Sequence, residues 1–397
     1  MKSPEVPLWR VISGLGITQI IGWGTTYYLL GALSPDFAAA TGWSKTLIFG
    51  AFSAALLLSG VISRSAGRAI DKIGARRVMS AGSIIAAIGL LLMGLTSYPA
   101  FYVTSWLLLG VAMRLTTYDA AFAALAHIVP HNTRRAISYL TLFGGLASTV
   151  FWPLGHWLSA RYGLQATLLI YAALHLLICL PIHMTVLAGH GDLSDHGGEP
   201  AAMDLAPPLE GRERRWAMAL FATALSLNGL VFSAISAHVV PLFQGLGFAG
   251  AEAVIIAAFI GPAQVASRIG DIAMGRNVKA TQLGVVAFAL LPFALLVFAG
   301  SGFATLAAFA FALLYGMSNG IITIAKGAVP LVLFGRRGYG LVLGTLAAPT
   351  LILNSLSPTL FAMLLDRTSS ATGMIVALVF ALLSTAAMVM LARRYPR

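Results

Sequence analysis

Long apolar segments separated by short polar turns run the length of this chain. Twelve can be laid out. The first half holds about 11–34, 45–65, 78–97, 101–128, 136–159 and 164–187, and the second holds 216–241, 251–270, 280–299, 303–327, 339–361 and 371–392. Each carries few charges and has about the length that crosses the hydrocarbon core of a bilayer. The ten-residue alternation of a membrane barrel is absent. Backbone groups in lipid must bond within their own segment, so the segments are predicted to be helices. Only residues 188–215 break the pattern at length, with Gly, Pro, Asp, Glu and Arg in place of an apolar run. The predicted fold is therefore an all-α integral membrane protein of twelve transmembrane helices. A six-helix unit over 1–187 and another over 216–397 are joined by the cytoplasmic linker 188–215. The first apolar stretch exceeds the core of a cleaved signal peptide and is expected to stay as the first helix.

Composition sharpens this picture. The chain is 58% hydrophobic and only 10% charged, against about 45–50% and about 25% in soluble domains. The formal net charge of +12 follows from topology rather than from nucleic-acid binding. With the N-terminus inside, the outer turns hold only Lys45, Arg161 and Arg367. The inner turns hold Arg68, Lys72, Arg76, Arg77, Arg134, Arg135, Arg212, Arg214, Arg215, Arg276, Lys279, Arg336 and Arg337, and the tail adds Arg393, Arg394 and Arg397. Lys and Arg concentrate on the cytoplasmic side of helical membrane proteins. Both termini are thus expected in the cytoplasm of a cell with the chain in its inner membrane. The single cysteine, Cys179, lies in an apolar run and reads as a packed small hydrophobe.

The two halves echo each other. Ser63-Arg64 recurs as Ser267-Arg268, Gly110 as Gly316, Pro153 as Pro358, Pro35-x-Phe37 as Pro241-x-Phe243 and Arg134-Arg135 as Arg336-Arg337, at offsets between 202 and 206. A near-constant offset points to two parallel six-helix repeats.

The densest charge lies between the second and third segments, in Gly67-Arg68-Ala69-Ile70-Asp71-Lys72-Ile73-Gly74-Ala75-Arg76-Arg77, where five of eleven positions are Arg, Lys or Asp. Gly67 permits close helix approach and Gly74 suits a tight turn. Arg64, Arg68 and Asp71 share one helical face. The spacing G-x-x-x-D-K-x-G-x-R-R resembles the signature loop of the major facilitator superfamily of secondary transporters. That resemblance implies alternating access, a substrate site near the midplane between the halves, and a gate-latch role for this loop. The alternative is that its charges only fix topology. The second copy, Ser267-Arg268-Ile269-Gly270-Asp271 with Arg276, is degenerate but keeps Arg and Asp at i,i+3.

Ionisable groups at membrane depth mark function by default. The fourth segment carries Arg114, Tyr118 and Asp119. On a continuous helix Arg114 and Tyr118 share a face, and Asp119 lies about 140° from Arg114, so the two charges are not expected to neutralise each other. Arg114, with Tyr118 beside it, is the candidate anchor for a carboxylate. Asp119 is a candidate proton-coupling group or inter-helix partner, and a purely structural charge network is the competing reading. His238 could carry the coupled proton or mark the outer interface. Arg268 lines the cavity or belongs to the second gate copy, and Lys326 binds substrate or snorkels. Asn319, with Asn228, Gln264 and Asn354, lines the cavity or bonds between helices. His127, His175 and His183 fall near inner helix ends and are not expected to be ligands. No metal cluster, phosphate-binding glycine loop or nucleophile–base cluster is legible. Neither a cofactor nor enzyme chemistry is expected. The expected partners are the bilayer, a small-molecule substrate and protons, with the chain acting as a monomer.

Within the superfamily, Gly42-Trp43-Ser44, Arg268 and His238-Val239-Val240-Pro241 resemble the monocarboxylate and oxalate/formate porter branch, as do Tyr118-Asp119-Ala120-Ala121-Phe122 and Thr149-Val150-Phe151-Trp152-Pro153. The resemblance implies a small organic anion as substrate. The carriers' lysine of the first segment has no counterpart here, their acid before the eighth-segment arginine is Gln264, and the oxalate exchangers' eleventh-segment lysine is absent. Proton-driven export of drug-like or amphipathic compounds is the alternative, in which Asp119 would matter more than Arg114.

Overall fold

The computed structural model describes residues 8–95, 98–129, 132–188, 207–245, 247–274, 278–300 and 305–397. Arg276 and most of the predicted linker lie outside them. The chain forms two units by its contacts: residues 1–203 with 336–348, and residues 204–335 with 349–397. Among the described residues, every regular element is helical. In the first unit these are α1 (Leu8–Thr25), α2 (Leu29–Thr41), α3 (Lys45–Ile73), α4 (Ala75–Leu95), α5 (Pro99–Thr116), α6 (Tyr118–Ile128), α7 (Thr133–Gly145), α8 (Ala147–Leu174), a π-helical turn over His175–Cys179, and α9 (Leu180–Val186). The second unit begins with α10 (Gly211–Gly245), α11 (Gly250–Ala258), α12 (Ile260–Met274), α13 (Ala280–Gly300) and α14 (Thr305–Phe334). Helix α15 (Tyr339–Arg367) starts in the first unit and ends in the second, which also holds α16 (Ser370–Arg394).

Where the residues are described, each predicted apolar segment falls on helix apart from short breaks. Ten stretches among the described residues are long and apolar enough to cross a membrane. One of them, Thr133–Val186, has 54 residues. Straight, it would be about 80 Å long, far beyond the roughly 30 Å hydrocarbon core. Gly163 divides it with φ 83° and ψ 164°, between the predicted fifth and sixth segments. The predicted first segment is likewise two helices. Thr25 and Thr26 donate to the carbonyls of Ile21 and Gly22 at 2.7 and 2.5 Å. Such hydroxyls compete for helix carbonyls and bend helices, and α1 ends there before α2 resumes at Leu29.

Local chemistry sets the boundaries that matter for the charged turn. Ser44 caps α3, its Oγ accepting from the Leu47 N–H at 3.2 Å. At the other end Gly74 sits at φ 86°, a conformation that costs a side-chain-bearing residue, so α4 can start at the very next residue.

In lipid the hydrophobic effect does not drive helices together, so association rests on close packing and inter-helix hydrogen bonds. Both are visible in the second unit. Pro292 cannot donate to the Phe288 carbonyl, and Thr385 Oγ1 of α16 does so at 2.8 Å. Pro358 likewise leaves the Asn354 carbonyl open, and Ser233 Oγ of α10 donates to it at 3.0 Å.

The repeat shows at two close crossings. A Cβ on Gly110 of α5 would lie 2.5 Å from the Ala55 carbonyl oxygen of α3. One on Gly316 of α14 would lie 2.4 Å from the Ile260 carbonyl oxygen, at the start of α12. The touched carbonyls are themselves about one repeat apart in sequence. Overpacking of this kind costs about 1–3 kcal/mol. Gly110→Ala is therefore expected to lower the thermal unfolding midpoint in detergent by several degrees, and an unchanged midpoint would show that this crossing yields freely.

Candidate functional site

The predicted fourth segment is not continuous, and this changes its chemistry. Thr116 and Thr117 donate their hydroxyls to the carbonyls of Ala112 and Met113, at 2.8 and 2.6 Å. Thr117 is extended, with φ −82° and ψ −166°, so α5 stops at Thr116 and α6 starts afresh at Tyr118. The helical wheel that set Asp119 away from Arg114 fails across this break. Asp119 instead accepts a hydrogen bond from Arg114, Nη1 to Oδ2, in a buried ion pair. The expectation that these charges would not neutralise each other is corrected. Asp119 also lies in the first turn of α6, where the helix dipole favours a carboxylate.

Both side chains are 6% exposed or less. The Arg114 Nε is buried without a hydrogen-bond partner among the described residues, so the guanidinium retains donor capacity. Gln19 of α1, fully buried, donates to the Thr116 carbonyl at 2.8 Å and ties α1 to the break.

An aromatic cluster begins at Tyr118, the chain neighbour of Asp119. Tyr118 stacks on Phe122 with centroids 5.4 Å apart and lies 5.1 Å from Trp23 of α1. Trp23 in turn contacts Tyr27 at 5.3 Å and Tyr28 at 6.3 Å, at the α1–α2 break. The Tyr118 hydroxyl donates to the Thr141 carbonyl at 3.3 Å. Gly144 makes that fit possible, since a Cβ there would lie 2.1 Å from the hydroxyl oxygen. The two helix breaks thus bring a buried charge pair and a half-buried aromatic face together in one unit.

The charged turn forms a second constellation in the same unit. Asp71 accepts two backbone hydrogen bonds at the start of α15, from Gly340 N to Oδ1 at 2.9 Å and from Leu341 N to Oδ2 at 2.7 Å. The first N–H groups of a helix have no intrahelical partner and attract a carboxylate, and α3 supplies one. A Cβ on Gly67 would lie 2.0 Å from the Gly340 carbonyl oxygen, and one on Gly344 would lie 2.2 Å from that of Ser63. Gly67 is therefore where α3 and α15 touch. Arg68, Lys72, Arg76 and Arg77 are exposed around this contact and Asp71 is half-buried. His127, at the end of α6, places Nε2 3.8 Å from Asp71 Oδ1. In the turn before α15, burial moves the Arg336 guanidinium below its ordinary value.

The remaining predicted residues belong to the second unit. His238 of α10 donates from Nε2 to the Pro358 carbonyl at 2.9 Å and stacks on Phe361 of α15. Since a carbonyl can only accept, Nε2 carries the proton in this contact. Arg268 and Asp271 of α12 are both buried, at 3% and 5% exposure. Asn319 of α14 is half-buried, and its carbonyl accepts from Thr323 Oγ1.

Sequence reasoning missed Gln19, Trp23 and the role of His127. Gln19 had a signal, as the lone amide of the first apolar segment. Trp23 and His127 had none, because only the breaks and helix ends bring them to the site. The predicted non-ligand histidines His175 and His183 are buried and bond Thr25 and Ser83 at 2.7 and 2.9 Å. Among the described residues no group of His, Cys, Asp or Glu could hold a metal.

A helical membrane protein of repeated halves, with a buried ion pair beside an aromatic face and a carboxylate seated on a helix N-terminus, has the parts of a carrier for small molecules. The family model of the Major Facilitator Superfamily matches residues 15–326, and the chain belongs to that superfamily. It is a multi-pass membrane protein of a superfamily of transporters. The chain is 17% identical to the human organic anion transporter MFSD10 (TETRAN), with a TM-score of 0.77 over 96% of this chain and 100% of that one. It is 12% identical to the proton:xylose symporter XylE, solved with 6-bromo-6-deoxy-D-glucose, with a TM-score of 0.70 over 98% of this chain and 95% of that one. These likenesses carry the fold. The MFS-type transporter SLC18B1 of Mus musculus is 26% identical over 189 residues, 45% of this chain and 40% of that protein. The chain thus spans less than half the length of that curated relative.

Proposed function

We propose that the protein is a secondary transporter that moves a small organic anion together with a proton by alternating access. The two six-helix bundles, 1–187 and 216–397, would rock about the linker 188–215. The observation that carries the reading is the buried Arg114–Asp119 pair. While Asp119 is ionised, Arg114 is compensated. When Asp119 takes a proton, a buried guanidinium is left without its counter-charge, at a cost of several kcal/mol. A substrate carboxylate removes that cost, so anion and proton bind together. Tyr118 and Trp23 supply an apolar face for the substrate's body. Arg268 and Asn319 are assigned to the substrate, and His238 remains a second proton carrier. The Lys and Arg asymmetry supports an inner membrane with both termini cytoplasmic. The similar fold of MFSD10, an organic anion transporter, agrees with this reading.

A thermal-shift screen of mono- and dicarboxylates at several pH values tests it. Ligand at a hundred times its dissociation constant adds about 2.7 kcal/mol to the bound form. The anion binds the form with Asp119 protonated. Affinity is therefore expected to rise as pH falls, by up to about tenfold per unit where Asp119 is mostly ionised in the free protein. Arg114→Lys keeps the charge but loses the planar fork, and should abolish the shift. The aromatic face favours a second reading, proton-driven export of amphipathic compounds. A shift with amphipathic cations alone, lost in Asp119→Asn, would establish that reading and end the first.

A further inference from the structure

A cavity of about 590 Å³ lies between the starts of α1 and α7, apart from the charge pair and the charged turn. Its origin is local. A Cβ on Gly16 would lie 2.4 Å from the Phe143 ring, so α1 and α7 meet tightly there. Towards their starts the helices part, and Trp9, Ile12, Tyr139 and Arg135 line the gap above Phe143. The volume is that of a ligand site, and its accessible lining is almost wholly apolar, with Ser13, Asn132 and Arg135 as its other lining residues.

The polar chemistry at the mouth has one sign. The Arg135 guanidinium lies 5.5 Å from the Tyr139 ring centre and donates to the Tyr139 hydroxyl from Nε and Nη2, at 3.3 and 3.0 Å. Arg10 lies 5.4 Å from the Trp9 ring centre. No carboxylate lines the cavity among the described residues. Both arginines are exposed, and Trp9 is 65% exposed. Arg135 stands in the first turn of α7, where the helix dipole disfavours a cation, so the helix does not gain from it. The mouth lies at the end of the bundle that holds the charged turn, because His127, just before α7, reaches Asp71. Aromatic residues and arginines at such a helix end sit at headgroup depth.

We propose that this groove is a binding site for an anionic phospholipid of the leaflet on the charged-turn side. Its phosphate pairs with Arg135 and Arg10, and an acyl chain lies along Ile12 and Phe143. The apolar lining suits a chain, and the arginines, with no carboxylate among the described lining residues, suit a phosphodiester, while the bilayer supplies both at high concentration.

Native mass spectrometry of the detergent-purified full chain, titrated with phosphatidylglycerol or phosphatidylcholine, tests this. Phosphatidylglycerol is expected to bind preferentially. Arg135→Gln should weaken it roughly five-fold, the worth of one basic residue at an anionic surface, and Arg10→Gln/Arg135→Gln should abolish the preference. Ser13→Trp, which fills the groove without changing charge, should displace the lipid as well. Lipid-free unfolding midpoints check that the variants fold. Equal binding of the two lipids, undiminished binding in the double arginine variant, or full competition by glycerol phosphate would each overturn the proposal. The last would mean that a soluble anion, not a lipid, owns the site.

Discussion

Asp119→Ala is expected to unfold in detergent about 3–5 kcal/mol more easily than the parent chain and to show no transport. The argument is about Arg114 rather than Asp119. Breaking a buried pair by removing one partner leaves the other charge uncompensated in a low-dielectric site. Arg114 is 6% exposed, and water cannot take the place of the carboxylate. The cost should therefore exceed that of a lost surface ion pair, usually below about 1 kcal/mol. The double variant Arg114→Met/Asp119→Leu separates structure from function. Replacing a buried pair by apolar residues of similar volume is often neutral or stabilising, so the double variant should regain most of the loss. If the pair couples anion to proton, it should still transport nothing. A double variant that transports normally would reduce the pair to scaffolding. A stable Asp119→Ala protein would show that Arg114 finds another counter-charge.

The pair also shows what the sequence could and could not reveal. Segment lengths, the Ser44 cap and the Gly74 turn all followed from composition and local chemistry, because each depends on residues a few positions apart. Asp119 did not, because its direction depends on whether the helix passes through Thr117. Two consecutive threonines are a weak breaking signal, since either hydroxyl can bond its own helix without stopping it. The same ambiguity hid the α1–α2 break at Thr25 and Thr26. The partner of Asp71 was out of reach for another reason. Gly340 and Leu341 are about 270 residues away in the chain and offer backbone N–H groups, which leave no mark in side-chain chemistry. The one hint was glycine at 338, 340 and 344 in an otherwise apolar run, which reads as close packing without naming the helix it packs on.

Asp71→Asn is expected to cut the initial transport rate by tenfold or more while substrate still binds. Asp71 accepts from both Gly340 N and Leu341 N, one oxygen to each. Asparagine keeps one acceptor and turns an N–H group towards the other amide, so one hydrogen bond is lost and a donor meets a donor. Hydrogen bonds to charged groups contribute about 1.5–3 kcal/mol, and the helix N-terminus adds about 0.3–1 kcal/mol for a negative charge. Even 2 kcal/mol shifts a two-state equilibrium about thirtyfold. If this contact forms in one state of the transport cycle and breaks in the other, the variant will be driven into the broken state. It will then turn over slowly, while saturating ligand still raises its unfolding midpoint. Asp71→Glu distinguishes this from a topological role. It keeps the charge but moves the carboxylate by about one methylene, so a residue that only sets topology would tolerate it and a latch would not. Gly67→Ala approaches the same contact from the backbone, its new Cβ pressing on the Gly340 carbonyl oxygen at 2.0 Å, and should reproduce the defect with the charge untouched. Normal rates in Asp71→Asn would leave the loop as a topology signal alone. Slow rates in all three variants, with binding retained, would make the start of α15 the element that the charged turn holds and releases.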